Sequence, residues 1–169
     1  GLQFLPFNTV YQLAAEKAEG LLGLADTALL IPDLINYWLT GRAATERTNA
    51  STTGLMGLDG TWDRSLMRRI GLPENLFPDI TEPGSTLGPV LPEMRAQLGI
   101  DDGVRVVSVA SHDTASAIAA IPMHAESAAY ISCGTWGLVG VETPSAIVND
   151  ASRAANFTNE GGADGRVRF

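Results

Sequence analysis

Up to residue 99 the apolar positions recur mostly at helical spacing, and beyond it they alternate or run together as they do in strands. A helix is predicted from Thr9 to Leu24, with Val10, Leu13, Ala14, Leu21 and Leu22 on one side. A second is bracketed by Pro32 in its first turn and Gly41 just past its end. Within it Leu30, Leu34 and Trp38 form one apolar row, and Ile31, Ile35 and Leu39 another. Residues 42–61 are polar and contain glycine, which reads as a loop or short helical turns. A short helix from Trp62 to Ile70 is stopped by Gly71-Leu72-Pro73. Two Pro/Gly breaks make 78–88 an extended connector, and 88–98 reads as another helix.

The most informative stretch follows. Valines at 104, 106, 107 and 109 occupy both parities, so neither face of a strand over 104–110 is wet, the pattern of an interior parallel strand. Ser111, His112 and Asp113 end it, and a helix of small residues runs over 114–121 to Pro122. Ligands of open α/β sheets bind beyond the carboxyl ends of such strands, where Asp113 would face a substrate and gain from the helix dipole. The competing reading is that Ser111 or Asp113 merely caps the helix.

Residues 128–142 read as two strands joined by a tight turn centred on Gly134. A glycine flanked by hydroxyls can hold phosphate oxygens on backbone N–H groups and the Thr135 hydroxyl. The same Ser132-Cys133-Gly134-Thr135 run is also a plain hairpin turn.

Taken together, Ala110-Ser111-His112-Asp113-Thr114-Ala115-Ser116-Ala117, Tyr130 to Trp136 and Asn156-Phe157-Thr158-Asn159-Glu160-Gly161-Gly162 resemble the FGGY carbohydrate kinases. So do Phe7 to Leu13, Ile31 to Gly41 and Thr48 to Thr53, and the resemblance runs nearly end to end. It implies an α/β fold of the actin-like (ribonuclease H-like) ATPase kind, with two domains around a cleft. Residues 1–122 would be the later part of the sugar-binding domain, 123–127 a linker, and 128–169 the start of the ATP-binding domain. By the same resemblance Asp113 is the catalytic base and His112 contacts the sugar. Thr135, with Gly134, contacts phosphate. The implied reaction transfers phosphate from ATP, with Mg²⁺ bridging its phosphates, to L-rhamnulose, giving L-rhamnulose 1-phosphate. Another sugar or polyol kinase, or a sugar-binding module without transfer, are the alternatives. Cys133 stands where relatives more often carry Ser. The opening phosphate hairpin and the adenosine loop of the family are not found in this sequence. The stretch is therefore expected to be a central portion, inactive by itself.

Composition fits such a piece. The 169 residues are 45% hydrophobic and 18% charged, enough to bury a core. A net charge of −8 disfavours nucleic acid and anionic membrane as partners. The single cysteine excludes an internal disulfide, and together with the absence of a signal-like or 18-residue apolar run it points to the cytoplasm. The Asn49 and Asn156 sequons are then chance matches.

Several other residues are suggestive. Ser111, His112 and Asp113 are chain neighbours rather than convergent groups, and no Gly-x-Ser-x-Gly elbow accompanies them, so a hydrolase triad is not indicated. His112 and His124 lack ligand partners at metal spacing. Asp33 could touch sugar or could be an acid at a helix start, and Tyr37 and Trp38 could be core or sugar platform. No phosphate-binding or dinucleotide-binding glycine motif is present.

Overall fold

The computed structural model describes residues 2–123 and 128–169. Most of the expected linker, together with His124, lies outside the described residues.

The first core forms where short helices converge. Helix α1 (Thr9–Ala18) sets Val10 and Leu13 against a cluster of Ala50, Leu55, Trp62, Met67, Leu72, Leu76 and Phe77. The helix is shorter than its apolar pattern suggests, because the chain turns at Gly20 with φ 78° and continues as a 3-10 turn at Leu22–Leu24. Leu22 packs on the cluster while Leu21 and Leu24 face outward. Trp62 stacks on Phe77 with ring centroids 4.5 Å apart, and its indole N–H donates to Pro78 O at 2.8 Å. That bond satisfies the one polar atom the ring carries into the core.

Helix α2 (Ile31–Thr40) starts with Pro32 in its first turn and ends at Gly41 in the left-handed region, as expected. Its two apolar rows are not equally covered: Leu34 and Leu39 are half-buried, whereas Ile31, Ile35, Tyr37 and Trp38 are exposed.

Residues 42–61 do hold a short helical turn, one of the two expectations for them, but their polarity did not reveal their burial. This polar stretch is one of the most buried parts of the chain. Strand β1 (Thr45–Glu46) runs parallel to β2 (Ile80–Thr81), and α3 (Arg47–Ala50) follows at once. Glu46, Thr48, Ser51 and Thr53 are buried because their polar atoms serve one another. Ser51 Oγ donates to Thr48 O at 2.6 Å and Thr53 Oγ1 to Ala50 O at 2.6 Å. Most of the segment's buried polar side chains are satisfied in this way, which lets it enter a core, while Thr45 Oγ1 and Arg47 Nε have no partner among the described residues.

Helix α4 (Arg64–Ile70) is capped by Asp63, whose Oδ1 accepts from Leu66 N at 2.8 Å, and stops at Gly71 with φ 71°. The connector expected over 78–88 supplies β2 and, with a bulge between Thr86 and Gly88, β3 (Thr86–Pro89). Gly88 to Val90 is thereby extended rather than helical, and α5 (Pro92–Leu98) begins at the proline.

Strand β4 (Arg105–Val107) corrects the expectation of a buried parallel strand over 104–110. It is three residues long and pairs antiparallel with β3, Thr86 opposite Val107 and Pro89 opposite Arg105. Its other edge joins no strand among the described residues, so Val104, Val107 and Val109 stay 42%, 47% and 63% exposed. Ser108 and Ala110 are buried. Helix α6 (Asp113–Ala119) then packs Thr114, Ala115 and Ile118 inward.

The second part is a four-stranded antiparallel sheet. Strands β5 (Ala129–Cys133) and β6 (Gly137–Thr143) form the expected hairpin. The sheet is completed, in the order β5-β6-β8-β7, by β8 (Val167–Arg168) and β7 (Glu160–Gly161). Helix α7 (Asp150–Ala154) carries a reciprocal cap between Asn149 and Ser152. The sheet meets the first part through β7: Gly161 N donates to Ser51 Oγ at 2.7 Å. A Cβ at Gly161 would lie 3.3 Å from the Arg47 carbonyl oxygen, Ser51 Oγ and Thr48 Cα. No helix among the described residues is long and apolar enough to cross a membrane.

Candidate functional site

A cleft of about 600 Å³ opens between the two parts, and His112, Asp113, Gly134 and Thr135 all line it. One wall comes from the N-terminal segment, Thr52 and the start of α6. The other is the tip of the β5–β6 hairpin, with Thr158 and Glu160 beside it. Phe7 and Trp136 meet edge to face across the walls, centroids 6.0 Å apart. Of the other residues weighed from the sequence, Asp33 and the pair Tyr37 and Trp38 do not line the cleft. Asp33 is buried, and its Oδ1 accepts from Glu46 N at 3.1 Å. Burial, with the Glu46 carboxylate adding to it and that N–H opposing it, raises the Asp33 carboxyl to about 6.

Asp113 is the first residue of α6 and is not its cap; the capping position belongs to His112, whose side chain makes no cap bond. The Asp113 side chain is 98% exposed. Its Oδ1 accepts from Thr114 N at 2.6 Å and from Thr114 Oγ1 at 3.3 Å, and Oδ2 has no partner among the described residues. A carboxylate so placed is oriented by its own helix start yet keeps one oxygen open to the cleft.

The backbone leading to Asp113 is held from below. Glu46, fully buried, accepts from Ser111 N at 3.0 Å and Ser111 Oγ at 2.9 Å. It also accepts from Thr48 Oγ1 at 2.6 Å, and Thr48 Oγ1 in turn accepts from His112 N at 3.2 Å. Ser111 thus faces Glu46 rather than capping the helix.

His112 faces a charged neighbour. Arg168 Nη2 lies 3.0 Å from its Nδ1 and donates to Glu160 Oε2 at 2.9 Å, while Arg168 Nε donates to Gly161 O at 3.1 Å. Burial lowers the imidazole below its usual range. The Glu160 carboxylate opposes that shift, Arg168 reinforces it, and Asp113 and Glu46 oppose it more weakly.

The hairpin tip is less free than its sequence suggests. Gly134 N donates to Trp136 O at 2.9 Å inside the turn, so that donor is already engaged. The Thr135 hydroxyl has no partner among the described residues and remains available to an anion in the cleft. Among the described residues no group of three or more His, Cys, Asp or Glu is placed to hold a metal. Sequence reasoning missed Glu46, Glu160 and Arg168. Glu160 at least lies in the family-like 156–162 run, while Arg168 has no local signal.

Residues 1–119 match the FGGY family of carbohydrate kinases, N-terminal domain. The chain is 45% identical over 172 residues to the rhamnulokinase of Oceanobacillus iheyensis, covering 100% of this chain and 36% of that protein. It is 46% identical over 171 residues to the rhamnulokinase of Enterobacter sp. (strain 638), covering 99% and 34%. The chain therefore spans about a third of the length of the curated relatives it matches. Among solved structures, ligand-bound xylulose kinase from Lactobacillus acidophilus superposes with a TM-score of 0.84 at 21% identity, over 99% of this chain and 34% of that one. Gluconate kinase from Lactobacillus acidophilus gives 0.85 at 22%, with the same coverage.

Proposed function

Because the chain belongs to the FGGY family of carbohydrate kinases and has part of their actin-like α/β fold, we propose that it supplies the sugar side and part of the phosphate side of an ATP-dependent sugar kinase. The substrate we assign is L-rhamnulose, phosphorylated to L-rhamnulose 1-phosphate; the rhamnulokinase relatives support this choice. Residues 1–122 would form the sugar-binding wall and 128–169 the beginning of the ATP-binding wall.

The observation that carries the reading is the meeting of Asp113 and Thr135 in one cleft, from opposite walls and 22 positions apart in sequence. Phosphoryl transfer needs an oriented acceptor, charge stabilisation and one base near the attacking oxygen. Asp113 would take the proton of the attacking sugar hydroxyl on its unpartnered Oδ2, while Thr114 N and Oγ1 hold Oδ1. His112 would bind a sugar oxygen. Thr135 Oγ1 would donate to a phosphate oxygen, with Gly134 shaping the turn rather than lending its N–H. Magnesium, carried on the phosphates of ATP, would neutralise their charge.

The test is ATP-dependent phosphorylation by the full-length protein across a panel of ketoses and polyols. L-Rhamnulose is expected to give the highest kcat/KM, and Asp113→Asn to abolish most of it. A different preferred sugar would refute the substrate, and full activity of Asp113→Asn would refute the site.

A further inference from the structure

We infer that Arg168, on β8, is a positioning residue for the opposite wall of the cleft: it fixes His112 as the tautomer whose proton sits on Nε2. Arg168 is 2% exposed, held by Gly161 O and Glu160 Oε2, and its Nη2 is 3.0 Å from His112 Nδ1. A guanidinium has donors and no acceptor, so a ring nitrogen at that distance must offer its lone pair. The ring proton then lies on Nε2. Protonating both nitrogens would set Nδ1–H against the Arg168 N–H, two donors and two positive charges in a buried place.

The carboxylates facing the ring favour its charged form, but their nearest oxygens already have donors of their own. Glu160 already accepts from Arg168, and Glu46 accepts from Ser111 and Thr48. Asp113 Oδ1 is 4.0 Å from Nδ1 and is engaged by Thr114. With Nδ1 committed to Arg168, Nε2–H is what His112 can offer the cleft it lines, and Nε2 has no partner among the described residues. A donor there suits a sugar hydroxyl or carbonyl oxygen. This last step rests on the reading of the cleft as the sugar site. A residue near the end of the second part thus determines which hydrogen-bond role the first part presents to substrate.

The test uses the full-length protein and long-range ¹H–¹⁵N correlation of the imidazoles, with His112 assigned by its loss in His112→Gln. Wild type is expected to show a single tautomer protonated at Nε2. Arg168→Met should give a mixture or Nδ1–H. Arg168→Lys should largely retain Nε2–H, because an ammonium also only donates. Sugar KM should rise about tenfold in Arg168→Met, with kcat changing less. An Nδ1–H or averaged ring in wild type would overturn the assignment, as would an unchanged Nε2–H ring in Arg168→Met. The wild-type and Arg168→Lys spectra decide the matter if Arg168→Met does not fold. Tautomers as expected, with sugar KM unmoved and no response of His112 to added sugar, would instead overturn the reading of the cleft.

Discussion

Ser111 donates both its backbone N–H, at 3.0 Å, and its hydroxyl, at 2.9 Å, to Oε2 of Glu46, a carboxylate with no solvent exposure. Thr48 N at 2.7 Å, Thr48 Oγ1 at 2.6 Å and Asn49 N at 3.1 Å converge on the same side chain. One buried acid therefore caps α3 and anchors the loop that presents His112 and Asp113. Buried charge is tolerated when hydrogen bonds replace its hydration, and removing the acceptor strands every donor at once.

Glu46→Ala is accordingly expected to cost about 3 kcal/mol or more of stability, as several buried donors lose their partner. Glu46→Gln, which keeps one oxygen but brings an NH₂ toward donors, should cost roughly 1–2 kcal/mol. Urea unfolding of the full-length variants measures both. A loss below about 1 kcal/mol for Glu46→Ala would show that the donors re-pair locally.

Asp113→Asn separates chemistry from helix support. Asn retains an oxygen to accept from Thr114 N, so the helix start and the thermal midpoint should hardly move. It cannot take up a proton, and kcat for sugar phosphorylation should fall by about 10²–10⁴. The KM for ATP should stay nearly constant. A variant with normal kcat and lowered stability would instead identify Asp113 as a structural residue.

Thr135→Val removes a hydroxyl that has no partner among the described residues, so folding should lose little. Its effect should appear in nucleotide binding, weakened by roughly 1–2 kcal/mol through the loss of a charged hydrogen bond. Calorimetric titration with ATP reads this directly. Unchanged affinity would place the phosphates away from the hairpin tip.

Asp33 gives a pH signature. Its folded carboxyl titrates at about 6 against 3.8 for the ordinary group, so the folded state binds the proton more tightly. The corresponding stabilisation is complete below about pH 4, declines as pH rises toward 6, and is gone above it. Asp33→Asn keeps an oxygen for Glu46 N without the ionisation. It should stabilise the protein at pH 7 by on the order of 2 kcal/mol and by almost nothing at pH 4. Equal effects at the two pH values would assign the change to packing rather than charge.

What could be read from the chain depended on how local the cause was. Pro32, Gly41 and Gly71 marked helix ends correctly because φ restrictions act within a residue or two. The polar run around Thr48 and Thr53 read as a loop or short helical turns, and α3 is such a turn, but nothing local reveals its burial or that Glu46 and Ser111 will meet across 65 positions. The valines of β4 signalled a strand but not its surroundings, because burial depends on what lies alongside. At the site, His112, Asp113, Gly134 and Thr135 stood out through family-like runs. Arg168, surrounded by ordinary strand residues, acquires significance only when the sheet brings it 3.0 Å from His112.

The bond from Gly161 N to Ser51 Oγ joins positions 110 apart, and Arg168 reaches His112 across 56. Contacts of such span cannot form until a long loop has closed, and chains dominated by them reach the native state slowly. Such contacts join the two walls of the cleft, so the walls should gain their native geometry together, after α1, α4 and the β5–β6 hairpin. Newly made chains would then pass through an interval in which Asp113 and Thr135 both exist in formed local structure, yet no binding site does.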